Sequence, residues 1–197
     1  MKLLLATKNN HKAKEIKEFL TGMKLELLTL NDFPEFEDIP ETGETFEENA
    51  WIKAKAAYEK MEICALADDS GLEVDFLNGR PGVYSARYAG EKASDADNCK
   101  KLLHEMANVA DHNRTARFIC VMVLYDGIKK SIFRGICEGS ITENERGEDG
   151  FGYDPLFIPE GYGKTFAELG IETKNRISHR GKALKQLNGF LSLTLSK

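Results

Sequence analysis

Lys2-Leu3-Leu4-Leu5-Ala6-Thr7-Lys8-Asn9-Asn10, followed by Ala13, Ile16, Phe19 and Leu20 at helical spacing, is the stretch on which the fold turns. An unbroken apolar run, a polar turn and a 3.6-residue period read as a strand feeding a helix. Lys24 to Leu30 reads as a second strand, and Asn31 to Gly43, acidic and carrying Pro34 and Pro40, as an irregular connection. Thr45-Phe46-Glu47-Glu48 matches a capping box and opens a helix to about Lys60. Ile63 to Ala67 reads as a buried strand ending at Asp68-Asp69-Ser70-Gly71, with Leu72 to Leu77 as a further strand before the turn-rich Asn78 to Gly82. A helix is expected around Ala96 to Ala107. Arg117 to Tyr125 and Lys129 to Ile136 form a hairpin through Asp126-Gly127. Glu143 to Gly152 reads as a loop and Ser178 to Phe190 as the last helix. A leading strand–helix unit with a later hairpin favours α/β architecture: a mixed sheet flanked by helices, without repeats or a domain linker.

Composition narrows the class. Of 197 residues, 42% are hydrophobic and 30% charged, which excludes a disordered or fibrous chain. Lys plus Arg number 27 against 32 Asp plus Glu, a net charge of -5 that disfavours general nucleic-acid binding. The longest apolar run, Phe118 to Tyr125, falls far short of the roughly 20 residues that span a bilayer. The N-terminal apolar block is too short for a signal peptide. Cys64, Cys99, Cys120 and Cys137 are widely separated and suit neither a zinc site nor a disulfide framework. A cytoplasmic protein with no membrane partner is expected.

Three places break the usual rules. Asn9 or Asn10 can cap the first helix, which sets Lys12 and Lys14 in its opening turn, against the helix dipole. An incoming anion would reverse that penalty, because backbone N–H groups and lysines would both face it; a solvated lysine offset by Glu15 is the plainer alternative. At the last helix, His179, Arg180 and Lys182 crowd the positive end behind Ser178, with Lys174 and Arg176 just before. Two basic helix starts in an acidic chain suggest a small polyanion held between them, with a solvated basic patch as the plainer alternative. The third is Lys53, on the apolar stripe of Phe46, Ala50 and Ala57. A snorkelling stem and a cation facing a cleft are both open readings.

Carboxylates supply the complementary half. Asp68-Asp69 stands where an apolar strand ends, a favoured place for site residues. Extended backbone would send the two acids to opposite faces, whereas an ordinary turn would use them in Asx hydrogen bonds. Glu37, Asp38 and Glu41 add carboxylates from the Pro-containing connection, and Mg²⁺ is typically held by one or two such groups plus phosphate oxygens. Gly161 to Thr165 lacks the first glycine of a P-loop, Gly150 to Pro155 breaks the dinucleotide fingerprint, and HExxH and a serine elbow are absent. Metal-and-water chemistry is what remains.

Five ordered blocks carry a resemblance: Thr7-Lys8-Asn9-Asn10-His11-Lys12, Ala67-Asp68-Asp69-Ser70-Gly71-Leu72, Pro81-Gly82-Val83-Tyr84-Ser85-Ala86-Arg87-Tyr88, Gly150-Phe151-Gly152-Tyr153-Asp154-Pro155 and Ile177-Ser178-His179-Arg180-Gly181. From about residue 2 to 190 the chain resembles the inosine triphosphate pyrophosphatase, or HAM1-like, family. Lys8 departs from the family's usual glycine but leaves the Thr-x-Asn-x-x-Lys frame intact.

The resemblance implies a long mixed sheet flanked by helices, in two lobes with an active-site cleft between them. It implies a single pyrophosphatase domain over residues 1–197, a homodimer, and dependence on Mg²⁺, with Mn²⁺ as a substitute. The implied reaction takes ITP, dITP and XTP to the monophosphate and pyrophosphate and clears deaminated purines from nucleotide pools. Thr7, Lys8, Asn9, Asn10, His11, Lys12, Lys53 and Lys174 would contact the triphosphate, with Ser70 nearby. Glu41 and Asp69 would hold metal, and Asp69 would accept the proton from water, with Asp68 as a possible sharer of that work. Phe151, Gly152, Tyr153 and Asp154, with His179 and Arg180, would form the base pocket. Donors from His179 or Arg180 facing the six-oxo group would reject adenine, and Phe151 or Tyr153 would stack on the ring. The competing readings are a non-enzymatic nucleotide sensor and a Maf-like pyrophosphatase for modified nucleotides; the Ser178-His179-Arg180 block argues against the latter.

Overall fold

In the computed structural model, which describes residues 1–195, β1 (Lys2–Leu5) runs into α1 (Asn10–Phe19) as the periodicity predicts. β2 (Glu26–Thr29) follows, and the acidic connection is irregular apart from one short 3-10 turn. α2 (Phe46–Met61) opens on the expected capping box: the Thr45 hydroxyl accepts from Glu48 N–H, and the Glu48 carboxylate accepts from Thr45 N–H. β3 (Ala65–Val74), α3 (Asp95–Glu105), β4 (Thr115–Tyr125) and β5 (Lys130–Ile141) come next. β6 (Phe157–Pro159), α4 (Phe166–Leu169), α5 (Ile171–Ile177) and α6 (His179–Leu195) complete the order.

The six strands form one sheet in the order β2-β1-β3-β4-β5-β6. β1 is parallel to both β2 and β3, while β5 and β6 are antiparallel, so the sheet is mixed as expected. β4 and β5 meet through a tight turn in which the Asp126 carboxylate accepts from Ile128 and Lys129 N–H.

Asp68 to Gly71 corrects the sequence reading. No turn divides two strands there; β3 continues through all four residues as extended backbone. The turn reading assumed that the carboxylates would bond to their own backbone. Instead each is engaged by a lysine from a helix, which leaves the strand straight. β6, α4 and α5 are not foreseen either: three to seven residues are too few to show a period.

The chain divides into two compact units. The first comprises Met1–Asp69, Cys120–Gly135 and the chain from Gly181; the second comprises Ser70–Ile119 and Ile136–Arg180. In the first, strand alternation gives two cores. Leu3, Leu5 and Leu66 pack with Ile16, Leu20, Ala183, Leu184 and Leu187, while Leu4, Ala6, Ala65 and Ala67 pack with Ala50, Ala54 and Ala57 of α2. Alanines on the inner stripe let α2 lie close to the sheet. The second unit builds its core from Leu72, Val74, Cys99, Leu102, Met106, Phe118 and Phe157. There the buried Arg114 guanidinium donates to the carbonyls of Met106, Val109, Ile141 and Thr142, fastening the end of β5. Among the described residues, no helix is long and apolar enough to cross a membrane.

Candidate active site

In the first unit, β3 alternation sorts the two acids. Asp68 shares a face with Leu66 and meets Lys12 of α1 at 3.3 Å. Asp69 shares a face with Ala67 and meets Lys53 of α2 at 2.8 Å. The extended alternative is therefore the observed one, and both carboxylates are buried.

Lys53 follows Asn49 and Ala50 along the inward stripe of α2 and is only 8% exposed, so its ammonium does not snorkel to water. It donates to Asp69 Oδ1 at 2.8 Å and to Glu41 Oε1 at 2.7 Å. Burial alone would lower its pKa, but Asp69, Glu41 and Asp68 together hold the ammonium above its ordinary value. Glu41, forty-one residues into the chain and outside any regular element, thus reaches the same cation as a strand carboxylate. Asn49 was not foreseen: fully buried, it accepts from Gly43 N–H and donates to Asp69 Oδ2 at 3.4 Å. Its signal in the sequence was its place one turn before Lys53.

The start of α1 is built by Asn9. Its side chain accepts from His11 and Lys12 N–H, and its own N–H donates to the Thr7 hydroxyl. Two of the N–H groups that the sequence reading offered to an anion are therefore already taken by the cap. The loop also presents side chains. Lys8 pairs with Asp38 at 2.8 Å, Asn10 accepts from Asn31, and His11 is exposed. Lys14 is exposed, as the plainer reading expects, but it pairs with Glu18 one turn on, whereas Glu15 is buried.

In the second unit, the Gly150–Asp154 loop folds around the Asp154 carboxylate, which accepts from Phe151 N–H at 2.9 Å and from Lys174 at 2.6 Å. Both members of that ion pair are buried. The Lys174 ammonium lies 4.4 Å and the Arg180 guanidinium carbon 5.7 Å from the centroid of the Phe151 ring. Arg180, 2% exposed, also donates to Ser70 Oγ at 2.8 Å. His179 stacks on Phe118 with centroids 4.7 Å apart and planes 10° apart. Tyr153 is buried and its hydroxyl donates to the Ser85 carbonyl, so of the two aromatics offered for stacking it serves the core and Phe151 remains. Gly152, at φ +61, adopts a backbone that side-chain-bearing residues rarely take.

The donor set can be tested against a hard divalent cation. Among the described residues, no group of three or more His, Cys, Asp or Glu is arranged to hold a metal. Glu41 and Asp69 nevertheless already share one cation, and their oxygen donors suit Mg²⁺, which takes one or two carboxylates when phosphate and water complete its shell.

Known proteins resemble this chain along nearly its whole length. The model of the Ham1 family matches residues 3–190. The protein named dITP/XTP pyrophosphatase of Oceanobacillus iheyensis is 51% identical over 192 residues, covering 96% of this chain and 98% of that one. Its namesake in Flavobacterium johnsoniae is 50% identical over 194 residues, covering 98% and 100%. Among solved structures, the HAM1 protein from Coxiella burnetii superposes with a TM-score of 0.90 at 42% identity, and the Staphylococcus aureus Ham1 protein with 0.88 at 41%, each covering 98% of both chains. Sequence and backbone together place this chain in the Ham1 family.

Proposed function

We propose that this protein hydrolyses non-canonical purine nucleoside triphosphates (ITP, dITP and XTP) to the monophosphate and pyrophosphate, as one pyrophosphatase domain over residues 1–197. The observation that carries the reading is the buried Lys53 held between Asp69 and Glu41, a charged cluster that no packing need explains. Relatives that bear an enzyme's name over nearly the same length do not favour a sensor or a Maf-like enzyme.

Asp69, ionised beside Lys53, orients a water and takes its proton as the water oxygen bonds to the α-phosphorus. The bond from that phosphorus to the bridging oxygen breaks, and pyrophosphate leaves with the electron pair. Lys12 and Lys53, with the polar chain Thr7 to His11, offset the phosphate charge, and Ser70 and Lys174 assist at the triphosphate. Glu41 and Asp69 would hold Mg²⁺, or Mn²⁺ in its place. When bound, the ion withdraws charge from phosphate oxygens. Phe151 stacks on the purine within the loop Phe151–Asp154, and donors of His179 and Arg180 meet the six-oxo group. Adenine, with a donor at that position, would leave them unsatisfied. The protein acts in the cytoplasm as a homodimer, without nucleic-acid or membrane partners.

Product analysis with ITP, XTP, ATP and GTP, with and without Mg²⁺, tests this. Pyrophosphate and IMP from ITP, with little product from ATP and none without metal, is the expected result. Orthophosphate in place of pyrophosphate would refute attack at the α-phosphorus, and binding without product would refute an enzyme.

A further inference from the structure

The peptide at Gly152 is gripped from outside its own loop. Its N–H donates to Asp95 Oδ2 at 2.7 Å, and its carbonyl accepts from Cys99 Sγ at 3.4 Å. Asp95 and Cys99 are four residues apart on α3, so they lie on one face and reach the two ends of one residue. Neither belongs to any of the five sequence blocks. On the same helix Asn98 accepts from Ala89 N–H and donates to the Ala86 carbonyl, and Tyr153 ties the Gly150–Asp154 loop to Ser85. One helix face thus anchors both the Gly150–Asp154 loop and the end of the 3-10 helix Gly82–Arg87.

We propose that Asp95 and Cys99 are positioning residues for base recognition: by clamping both polar groups of Gly152 they set the direction in which Phe151 presents its ring. This rests on the reading above that Phe151–Asp154 receives the purine. Gly152 sits in the left-handed region at φ +61, and nothing lies within 4 Å of where a Cβ would stand, so neighbouring side chains do not wedge it in place. The clamp supplies that restraint through the backbone. Asp95 gives a charge-assisted acceptor, the stronger half; Cys99, buried, gives a weak donor. Asp95 and Cys99 hold backbone of the Gly150–Asp154 loop and are not part of the Lys53 cluster proposed to act at phosphorus.

The test compares Asp95→Ala and Asp95→Asn, the latter keeping an oxygen acceptor, with Cys99→Ala as a second variant in case the helix start tolerates alanine poorly. Asp95→Ala is expected to raise KM for ITP about tenfold, to leave kcat within about twofold and to lower the ITP-over-ATP ratio of kcat/KM. Hydrogen exchange in the peptide spanning Gly150–Asp154 should quicken in the same variant, and Asp95→Asn should restore all of these. Cys99→Ala should shift them in the same direction by less. Wild-type KM and base ratio in Asp95→Ala, whether or not exchange quickens, would overturn the proposal, as would a fall in kcat alone. If the unaltered protein itself shows no preference for ITP over ATP, it is the base-pocket reading that fails, and faster exchange in Asp95→Ala would still establish the clamp.

Discussion

Lys53 in the first unit and Lys174 in the second are both buried lysines in tight ion pairs, yet they are placed by different means. Lys53 stands on a sixteen-residue helix and meets a carboxylate set by strand alternation, plus Glu41 from an irregular segment. Lys174 stands on a seven-residue helix and meets a loop carboxylate, Asp154, which also folds its own loop through Phe151 N–H. Regular elements fix the first pair through two periodicities. The second is fixed by a web of hydrogen bonds that a small change can loosen. The difference suits the proposed roles: Lys53 and Asp69 act at phosphorus and need rigid placement, whereas Asp154 shapes the loop for the base and Lys174 ties that loop to a helix while assisting at the triphosphate.

The comparison breaks most clearly at Asp69. Asp69→Asn keeps the shape of the cluster and should lower turnover about a thousandfold in a pyrophosphate-release assay, with thermal stability little changed. Intact turnover would remove Asp69 from the role of base. Next come the lysines themselves. Lys53→Met and Lys174→Met each strand a buried carboxylate, and chemical denaturation should show losses of about 3–5 kcal/mol. Lys14→Ala, at an exposed helical pair, should move stability by less than about 0.5 kcal/mol. Equal effects of Lys14 and Lys53 would mean that burial does not set their worth.

Arg180→Lys probes the second unit. The lysine keeps the charge but loses the planar fork on Phe151 and Ser70, so the ITP-over-ATP ratio should drop about tenfold while residual turnover persists. An unchanged ratio would take adenine rejection away from Arg180. The smallest expected contrast lies between two thiols. Burial pushes the Cys64 thiol up to about 11, with the Asp126 charge adding to it, and the Cys99 thiol up to about 12, with Glu145, Asp95 and Asp154 adding. Below those values each is protonated, so alkylation at pH 8 should be slow for both and rise about tenfold per pH unit. Half-buried Cys64 should react first. Faster labelling of Cys99 would show that the clamp on Gly152 opens readily.

Much was legible in the sequence where a period or a cap speaks for itself: β1 into α1, the Thr45 capping box, the hairpin at Asp126-Gly127, and Lys53 on an apolar stripe. The blocks of the family resemblance pointed to Asp69, Phe151 and Arg180 without any geometry. The sequence could not decide whether Asp68-Asp69 turned or ran on, because a turn and a strand accept the same residues. That choice fell to Lys12 and Lys53, whose ammonium groups compete with the local backbone for the carboxylates. Nor could it separate Tyr153 from Phe151, two residues apart in one loop, of which one feeds its hydroxyl to Ser85 and the other lies under two cations.

Asp95 and Cys99 were invisible for a related reason. Side chains that grip another segment's backbone leave no motif, since any residue has an N–H or a carbonyl to be held. Periodicity and capping are local, with energies that neighbouring residues supply to one another, so sequence alone determined β1, β2, the β4–β5 hairpin, the long helices and the family. Long-range ion pairs and side-chain-to-backbone bonds depend on segments meeting after the chain has folded. Only the tertiary structure could decide which carboxylate each lysine takes, and which helix holds the loop around Gly152.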